Sequence, residues 1–408
     1  MQMARQPGRH LQAAKFASDT VRAVTGEAVG RVREVGRLEN IIGYYMARRF
    51  HPHIMTALPA TATPDPLAKA HAEARQAALE HWLAGVEASF ALDLATIAPA
   101  SADASFRRYF RVCSASPAHP TLIVMDAPPP QEDCRPFVHV SGLLHEAGLN
   151  APRILAQDLA QGFLLLSDLG RATYLDVLDQ DNATRLYRAA FDALIAWQLA
   201  SRPGQLPPYD NALLQRELDL FPTWYIERHL DMALSPSQQE VLAKTGALLI
   251  DSALAQPQVY VHRDYMPRNL MVSEPNPGIL DFQDAVYGPL TYDVVSLLRD
   301  AFISWDEELQ LDWLIYYWEN AKRAGLPVRQ DFGEFYQECE WMGLQRHLKV
   351  LGIFARIQYR DGKPRYLADT PRFMQYAHKV AARYKPLHPL ARLLDALDGK
   401  SAAVGYTF

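Results

Sequence analysis

The chain has no lysine from Ala70 to Ala243, which leaves arginine as the only strong side-chain cation for an anion bound by that stretch. Cysteine is scarce: Cys113, Cys134 and Cys339 are scattered and odd in number. They make neither a disulfide framework nor a paired-cysteine metal knuckle, and they point to a reducing compartment, the cytoplasm. Long apolar runs are missing too. The run at residues 163–166 is far too short to span a bilayer, so no membrane role is expected. Nor is there a basic excess, since the formal net charge is −5 over 408 residues. Neutralising the phosphates of a nucleic acid needs a basic surface, so no nucleic-acid partner is expected.

What charge there is lies unevenly. Residues 1–54 hold nine Lys/Arg against four Asp/Glu, and the remaining 354 residues carry about −10. The basic stretch has no apolar core before a small-residue cleavage site and does not read as a signal peptide. The expectation is that residues 1–66 form a basic extension and linker without structure, with 1–54 translated upstream of a natural start near Met55.

From residue 67 the pattern becomes regular. Residues 67–87 read as an amphipathic helix, and the runs at 92–98, 109–114 and 121–127 read as strands separated by turn-rich segments. Residues 137–147 are helical and 162–166 form a short apolar strand. Helical periodicity then dominates at 184–199, at 212–233 with a kink or break at Pro222, and at 237–254 with Ser235 or Ser237 as N-cap. This order predicts an α+β architecture: a strand-rich nucleotide-binding lobe over 67–170, a helical lobe over 171–408, and a cleft between them.

The informative stretch is 259–300. An apolar strand at 259–261 delivers the chain into His262-Arg263-Asp264, and Asn269 follows five residues after Asp264. A second short strand, the turn Pro275-Asn276-Pro277-Gly278, and Ile279-Leu280 then lead to Asp281-Phe282-Gln283-Asp284. A hairpin there brings Asn269 and Asp281 together with Asp264 one loop away. That arrangement suits phosphoryl transfer: a carboxylate orients or deprotonates the attacking hydroxyl, while an amide oxygen and a second carboxylate hold magnesium on the phosphates. Both ligands are hard oxygens, as magnesium requires.

This stretch resembles the catalytic and metal loops of the protein-kinase-like superfamily, especially its aminoglycoside phosphotransferase and choline kinase branch. Over roughly residues 85–395 the chain further resembles the bacterial anomeric kinases of N-acetylmuramate and N-acetylglucosamine. The segments that carry the narrower resemblance are SFRRYFRV, LIVMDAPP, HRDYMPRNLMV, ILDFQDAVYGPLTYDVVSLLRD and RHLKVLGIFARIQYRDGK. The resemblance implies a bilobal protein-kinase-like fold, ATP and Mg2+ as cofactors, and a sugar as the small-molecule partner. It makes Asp264 the catalytic base, Asn269 and Asp281 the magnesium ligands, and Ser167, Asp168 and Leu169 the hinge facing the adenine. Asp293 becomes a buried aspartate bracing the catalytic loop, and His262 a loop-supporting residue. The implied activity is phosphorylation of the anomeric hydroxyl of an N-acetylated amino sugar in cell-wall (peptidoglycan) recycling.

Departures from that pattern sharpen the expectations. Gln283 stands where protein kinases place a glycine after Asp-Phe, which excludes a flipping regulatory motif. Met125 occupies the strand where a phosphate-binding lysine is expected, and the nucleotide loop offers Ala100 to Ser105 in place of glycines. Small residues such as Ser105 still permit close backbone approach to phosphates. Arg107, Arg108 and Arg111 are the nearest cations, with Arg108, or failing that Arg107, expected to meet the triphosphate. Two faces are candidates for the sugar: Arg216, Glu217 and Trp224, and a second built from Arg346, His347, Arg360 and Asp361. Trp313, Tyr316, Tyr317 and Trp318 read as core. Kinases of another small alcohol or of an aminoglycoside stay open as acceptor classes. A nucleotide-binding pseudokinase is motivated by the missing lysine and glycines, and opposed by the joint presence of Asp264, Asn269 and Asp281.

Overall fold

The computed structural model describes residues 66–101 and 106–399. The expectations for residues 1–65, and for a start near Met55, lie outside the described residues. The chain divides into two compact units, one up to Glu80 and one from His81 onward. The described part of the first is helical, belonging to α1 (Pro66–Phe90), with the Gln76 amide donating to Glu80 at 2.9 Å.

In the second unit the end of α1 is followed by a five-stranded antiparallel sheet: β1 (Leu92–Ser101), β2 (Arg108–Ser114), β3 (Thr121–Asp126), β4 (Ile154–Asp158) and β5 (Phe163–Ser167), in the order β1-β2-β3-β5-β4. Side chains alternate between the faces of a strand, so the register decides what each face carries. Tyr109 opposes Met125, which opposes Leu164; Arg111 opposes Ile123, which opposes Leu166. On that face helix α2 (Arg135–Glu146) buries Phe137, Val140, Leu143 and Leu144 in one cluster with Met125, Leu164 and Leu166. The opposite face carries Arg108 across from Asp126 and Phe163. There Trp82 stacks on Phe163 with ring centroids 5.5 Å apart. Between β4 and β5 the backbone of Gly162 has φ +74°, and a Cβ there would sit 2.0 Å from the Ala127 carbonyl oxygen; only glycine fits.

Helices follow: α3 (Tyr174–Val177), α4 (Ala183–Leu199), α5 (Asn211–Leu218), a π-helical segment Phe221–His229, and α6 (Pro236–Leu254). Ser235 caps α6 through a capping box with Gln238. The helical run expected over 212–233, with a kink or break at Pro222, is broken into two segments. Pro222 has no amide hydrogen to donate to the Leu218 carbonyl four residues back, and α5 ends at Leu218. Strand β4, which the sequence pattern did not mark, is held by its pairing with the fully buried β5. After the catalytic segment come α7 (Tyr292–Leu298), α8 (Glu307–Ala324), α9 (Phe332–Asp361), α10 (Thr370–Arg383) and α11 (His388–Leu397). Helix α9 is the spine, burying sixteen of its residues. Trp313 stacks on Tyr187 at 4.1 Å and Tyr317 is fully buried, so these two are core as expected, while Tyr316 and Trp318 pack half-buried against it. Among the described residues, no helix is long and apolar enough to cross a membrane.

Candidate active site

Strand β6 (Gln258–Val261) pairs antiparallel with β9 (Val286–Pro289), which fixes the point where the chain enters the candidate catalytic loop. There the amides of His262 and Arg263 donate to the carboxylate of Asp293 at 2.6 and 3.0 Å. Asp293 lies in the first turn of α7 and is fully buried. Burial pushes its carboxyl up to about 7, with the two amide donors pulling the other way. His262 is buried as well. Its Nδ1 accepts from the Asp264 amide at 3.3 Å and its Nε2 donates to the Leu280 carbonyl at 3.0 Å. Burial holds the imidazole at about 4, so it is neutral at pH 7, as that pair of bonds requires.

Arg263 adopts φ +75°, a costly region for a residue with a side chain. Its guanidinium donates to Glu217 at 2.5 Å. Lys349 reaches the same carboxylate oxygen at 2.8 Å, and Tyr209 and Gln345 bond the other oxygen. Burial opposes the charge on Glu217, but Lys349 and Arg263 hold its carboxyl down at about 2. Glu217 is therefore locked beneath the catalytic loop and does not form a sugar-binding face.

The metal-type pair comes from the next hairpin. Leu270 of β7 (Leu270–Met271) opposes Ile279 of β8 (Gly278–Ile279). The Leu280 amide closes the pair on the Asn269 carbonyl at 2.9 Å. Asn269 Nδ2 donates to the Asp264 carbonyl at 2.9 Å and to the Asp281 carboxylate at 3.4 Å. The Gln283 amide holds the other Asp281 oxygen at 2.9 Å, and Asp281 has φ +62°. Asp264, Asn269 and Asp281 thus stand together, while Asp284 is exposed. One carboxylate and one amide oxygen are the donors that suit a magnesium ion whose other ligands are phosphates and water.

A cavity of about 610 Å³ runs from this pair to the sheet. Ile123, Leu166 and Leu169 supply an apolar wall, and Ser167 and Asp168 lie along its edge. The Ser167 hydroxyl accepts from the Arg153 amide at 2.8 Å. Asp168 is engaged by Arg111 at 2.5 and 3.0 Å and by Thr121 at 2.8 Å. Burial opposes its ionisation, but Arg111 and Thr121 draw the carboxyl below the usual carboxylate range. An apolar slot ending at a magnesium-type pair has the size and polarity of a nucleotide site.

The two neighbouring arginines differ in their surroundings. Arg108 lies on the sheet face away from the cavity, bonded to Asp126 at 2.8 Å and set 5.5 Å from the Phe110 ring. Arg107 is largely buried, pairs with Glu132 at 2.9 Å, and lies within electrostatic reach of Asp281 and Asp284. Met125, where a lysine was expected, is fully buried. Ser105 falls outside the described residues.

The remaining sequence candidates disperse. Arg216 is exposed. Trp224 packs, half-buried, against the core. Arg360 is spent on its neighbour Asp361 at 2.6 Å. Arg346 is buried, with Nη1 unpartnered, and lies within electrostatic reach of Asp293 and Asp300. The cavity wall instead carries Arg268, Phe302, Tyr366 and Asp369, which sequence reasoning passed over. Arg268 sits between Asp264 and Asn269, so the motif itself held the signal; the other three come from loops with no motif.

Three kinds of likeness bear on this site. The model of the phosphotransferase enzyme family matches residues 96–330. The chain is 58% identical to the N-acetylmuramate/N-acetylglucosamine kinase of Pseudomonas aeruginosa, over 74% of this chain and 89% of that one. It is 46% identical to the protein of the same name from Neisseria meningitidis serogroup B, over 82% of this chain and 99% of that one. In structure it resembles a choline kinase of Streptococcus pneumoniae, with a TM-score of 0.54 at 11% identity, over 74% of this chain and 98% of that one. That last likeness is one of fold.

Proposed function

The chain belongs to the phosphotransferase enzyme family, and from that premise we propose that it is an ATP- and magnesium-dependent kinase of the anomeric hydroxyl of N-acetylmuramate and N-acetylglucosamine. The observation that carries the chemistry is the Asn269 amide, which touches both the Asp264 backbone and the Asp281 carboxylate. The acceptor follows the two named relatives.

In this reading the adenine lies against Ile123, Leu166 and Leu169, with Ser167 to Leu169 as the hinge. Asn269 and Asp281 hold the magnesium, which screens the charge on the phosphates. Arg107 supplies the fixed cation that Met125 cannot. Asp264 receives the proton of the anomeric hydroxyl as its oxygen bonds to the γ-phosphorus. The bond from that phosphorus to the bridging oxygen breaks, and ADP departs with the electron pair. The products are a sugar 1-phosphate and ADP, in keeping with reuse of cell-wall sugars in the cytoplasm. Sequence segments 67–170 and 171–408 then serve as nucleotide and acceptor lobes.

A coupled ADP-release assay with N-acetylmuramate, N-acetylglucosamine and an aminoglycoside tests the reading. Turnover with the two sugars and none with the aminoglycoside is expected. Turnover with the aminoglycoside alone would replace the acceptor class, and no turnover with any acceptor would favour a pseudokinase.

A further inference from the structure

We propose that Arg268 reads a carboxylate on the acceptor sugar and so separates the acidic from the neutral amino sugar; this rests on the acceptor class proposed above. Arg268 lies in the single turn Pro267–Asn269 that joins the catalytic loop to β7. It lines the cavity beside Asn269 and Asp281. Its guanidinium stacks on the Phe302 ring at 5.1 Å, and among the described residues it forms no ion pair.

Near Arg268 three guanidiniums crowd around one buried carboxylate. Asp300, fully buried, accepts from the Phe302 amide at 2.5 Å through one oxygen and leaves the other without a hydrogen bond. Three guanidiniums lie within electrostatic reach of it: Arg346, Arg268 and Arg372. Arg372 donates to the Ala301 carbonyl at 2.8 Å, and Arg346 keeps Nη1 unpartnered. Asp369 also lines the cavity, and Asp281 faces the metal end. Of these three arginines only Arg268 is on the cavity wall, where it stands next to Asn269; Arg111, which is bound to Asp168, and Arg171 line the same cavity.

The chemistry of the two sugars supplies that anion in one case only. N-acetylmuramate carries a lactyl ether on carbon 3, two ring carbons from the anomeric hydroxyl, and the ether ends in a carboxylate. N-acetylglucosamine has a hydroxyl there. Asp264 and Arg268 are four residues apart, so their Cα atoms are at most about 14 Å apart. A sugar with its anomeric oxygen at Asp264 can therefore present the lactyl group to Arg268. A planar guanidinium already oriented on an aromatic ring binds a carboxylate through two parallel hydrogen bonds, which an ammonium cannot reproduce.

The measurement is kcat/KM for both sugars in wild type, Arg268→Gln and Arg268→Lys. Arg268→Gln should lower the N-acetylmuramate value at least tenfold more than the N-acetylglucosamine value, and Arg268→Lys should recover only part of that ratio. A ratio unchanged within about twofold would overturn the proposal. Independently of any variant, wild type should use the primary amide of N-acetylmuramate, of the same shape without the charge, at least tenfold less well than the acid. Equal use of amide and acid would overturn the proposal even if Arg268→Gln failed to fold. Wild type that phosphorylates neither sugar would remove the acceptor reading itself, and this proposal with it.

Discussion

The Asp264 carboxylate is aimed by its own backbone, whose amide is held by His262 and whose carbonyl is held by Asn269. Replacing Asp264 by Asn keeps both contacts and removes the proton acceptor. Turnover should fall by about two to four orders of magnitude while ATP affinity changes little, the usual reach of a general base. A variant keeping more than half the wild-type rate would take Asp264 out of the mechanism. The neighbouring arginines, Arg107 just before β2 and Arg108 at its start, allow a comparison. Arg107→Ala should cost about 2–4 kcal/mol in kcat/KM for ATP, the loss of one preorganised charge contact. Arg108→Ala, which removes the Arg108–Asp126 pair on the far face, should act on stability instead; an equal effect on ATP kinetics would contradict the assignment. His262 and His347 add a pH dependence, since both are buried and burial depresses both imidazoles, His262 to about 4. Their stabilising effect is fully present above the unfolded value near 6.5. It is lost as pH falls toward the folded value, because only the unfolded chain takes up the proton. For His262 the loss between about pH 6.5 and 4 should approach about 3 kcal/mol. Melting temperature against pH measures it, and His262→Gln should flatten part of the slope.

At the scale of elements, the tightest constraint is on α9, where it crosses the segment after α5. A Cβ on Gly352 would lie 2.4 Å from the backbone of Leu220, which no rotamer change relieves. Gly352→Ala should therefore destabilise by about 1–3 kcal/mol or more, against the small gain alanine brings to an exposed helix. An unchanged melting temperature would mean that the two segments separate easily. Strands β2, β3 and β5 and helices α2, α4 and α6 were legible in the sequence because their apolar periodicity and the Ser235 cap are local signals. Strand β4 was not, nor was the π form of the helical segment beginning at Phe221. The first owes its form to its pairing with β5, and the second to Pro222 and to packing on α9.

At the scale of the whole molecule, the reaction should leave phosphate on carbon 1. The methyl glycosides of both sugars, which lack an anomeric hydroxyl, should give no ADP above background. Their efficient turnover would move the acceptor to another hydroxyl and leave the kinase reading standing. The proposed triad of oxygens is legible in the amino-acid sequence by itself because Asp264, Asn269 and Asp281 lie within eighteen residues joined by short strands and one turn. Covalent connection alone keeps them within reach of one another. The strand-then-helix order determines the α+β class for a similar reason, since periodicity belongs to each segment separately. Tertiary structure decided what depended on distant partners. The β2–β3 register turned Arg108 away from the cavity toward Asp126. Tertiary packing neutralised Glu217 with Lys349, more than a hundred residues further along, and it brought Phe302 under Arg268. Isolated charged residues look alike in a sequence, because whether one binds a ligand or a neighbour depends on which opposite charge the packed chain places beside it.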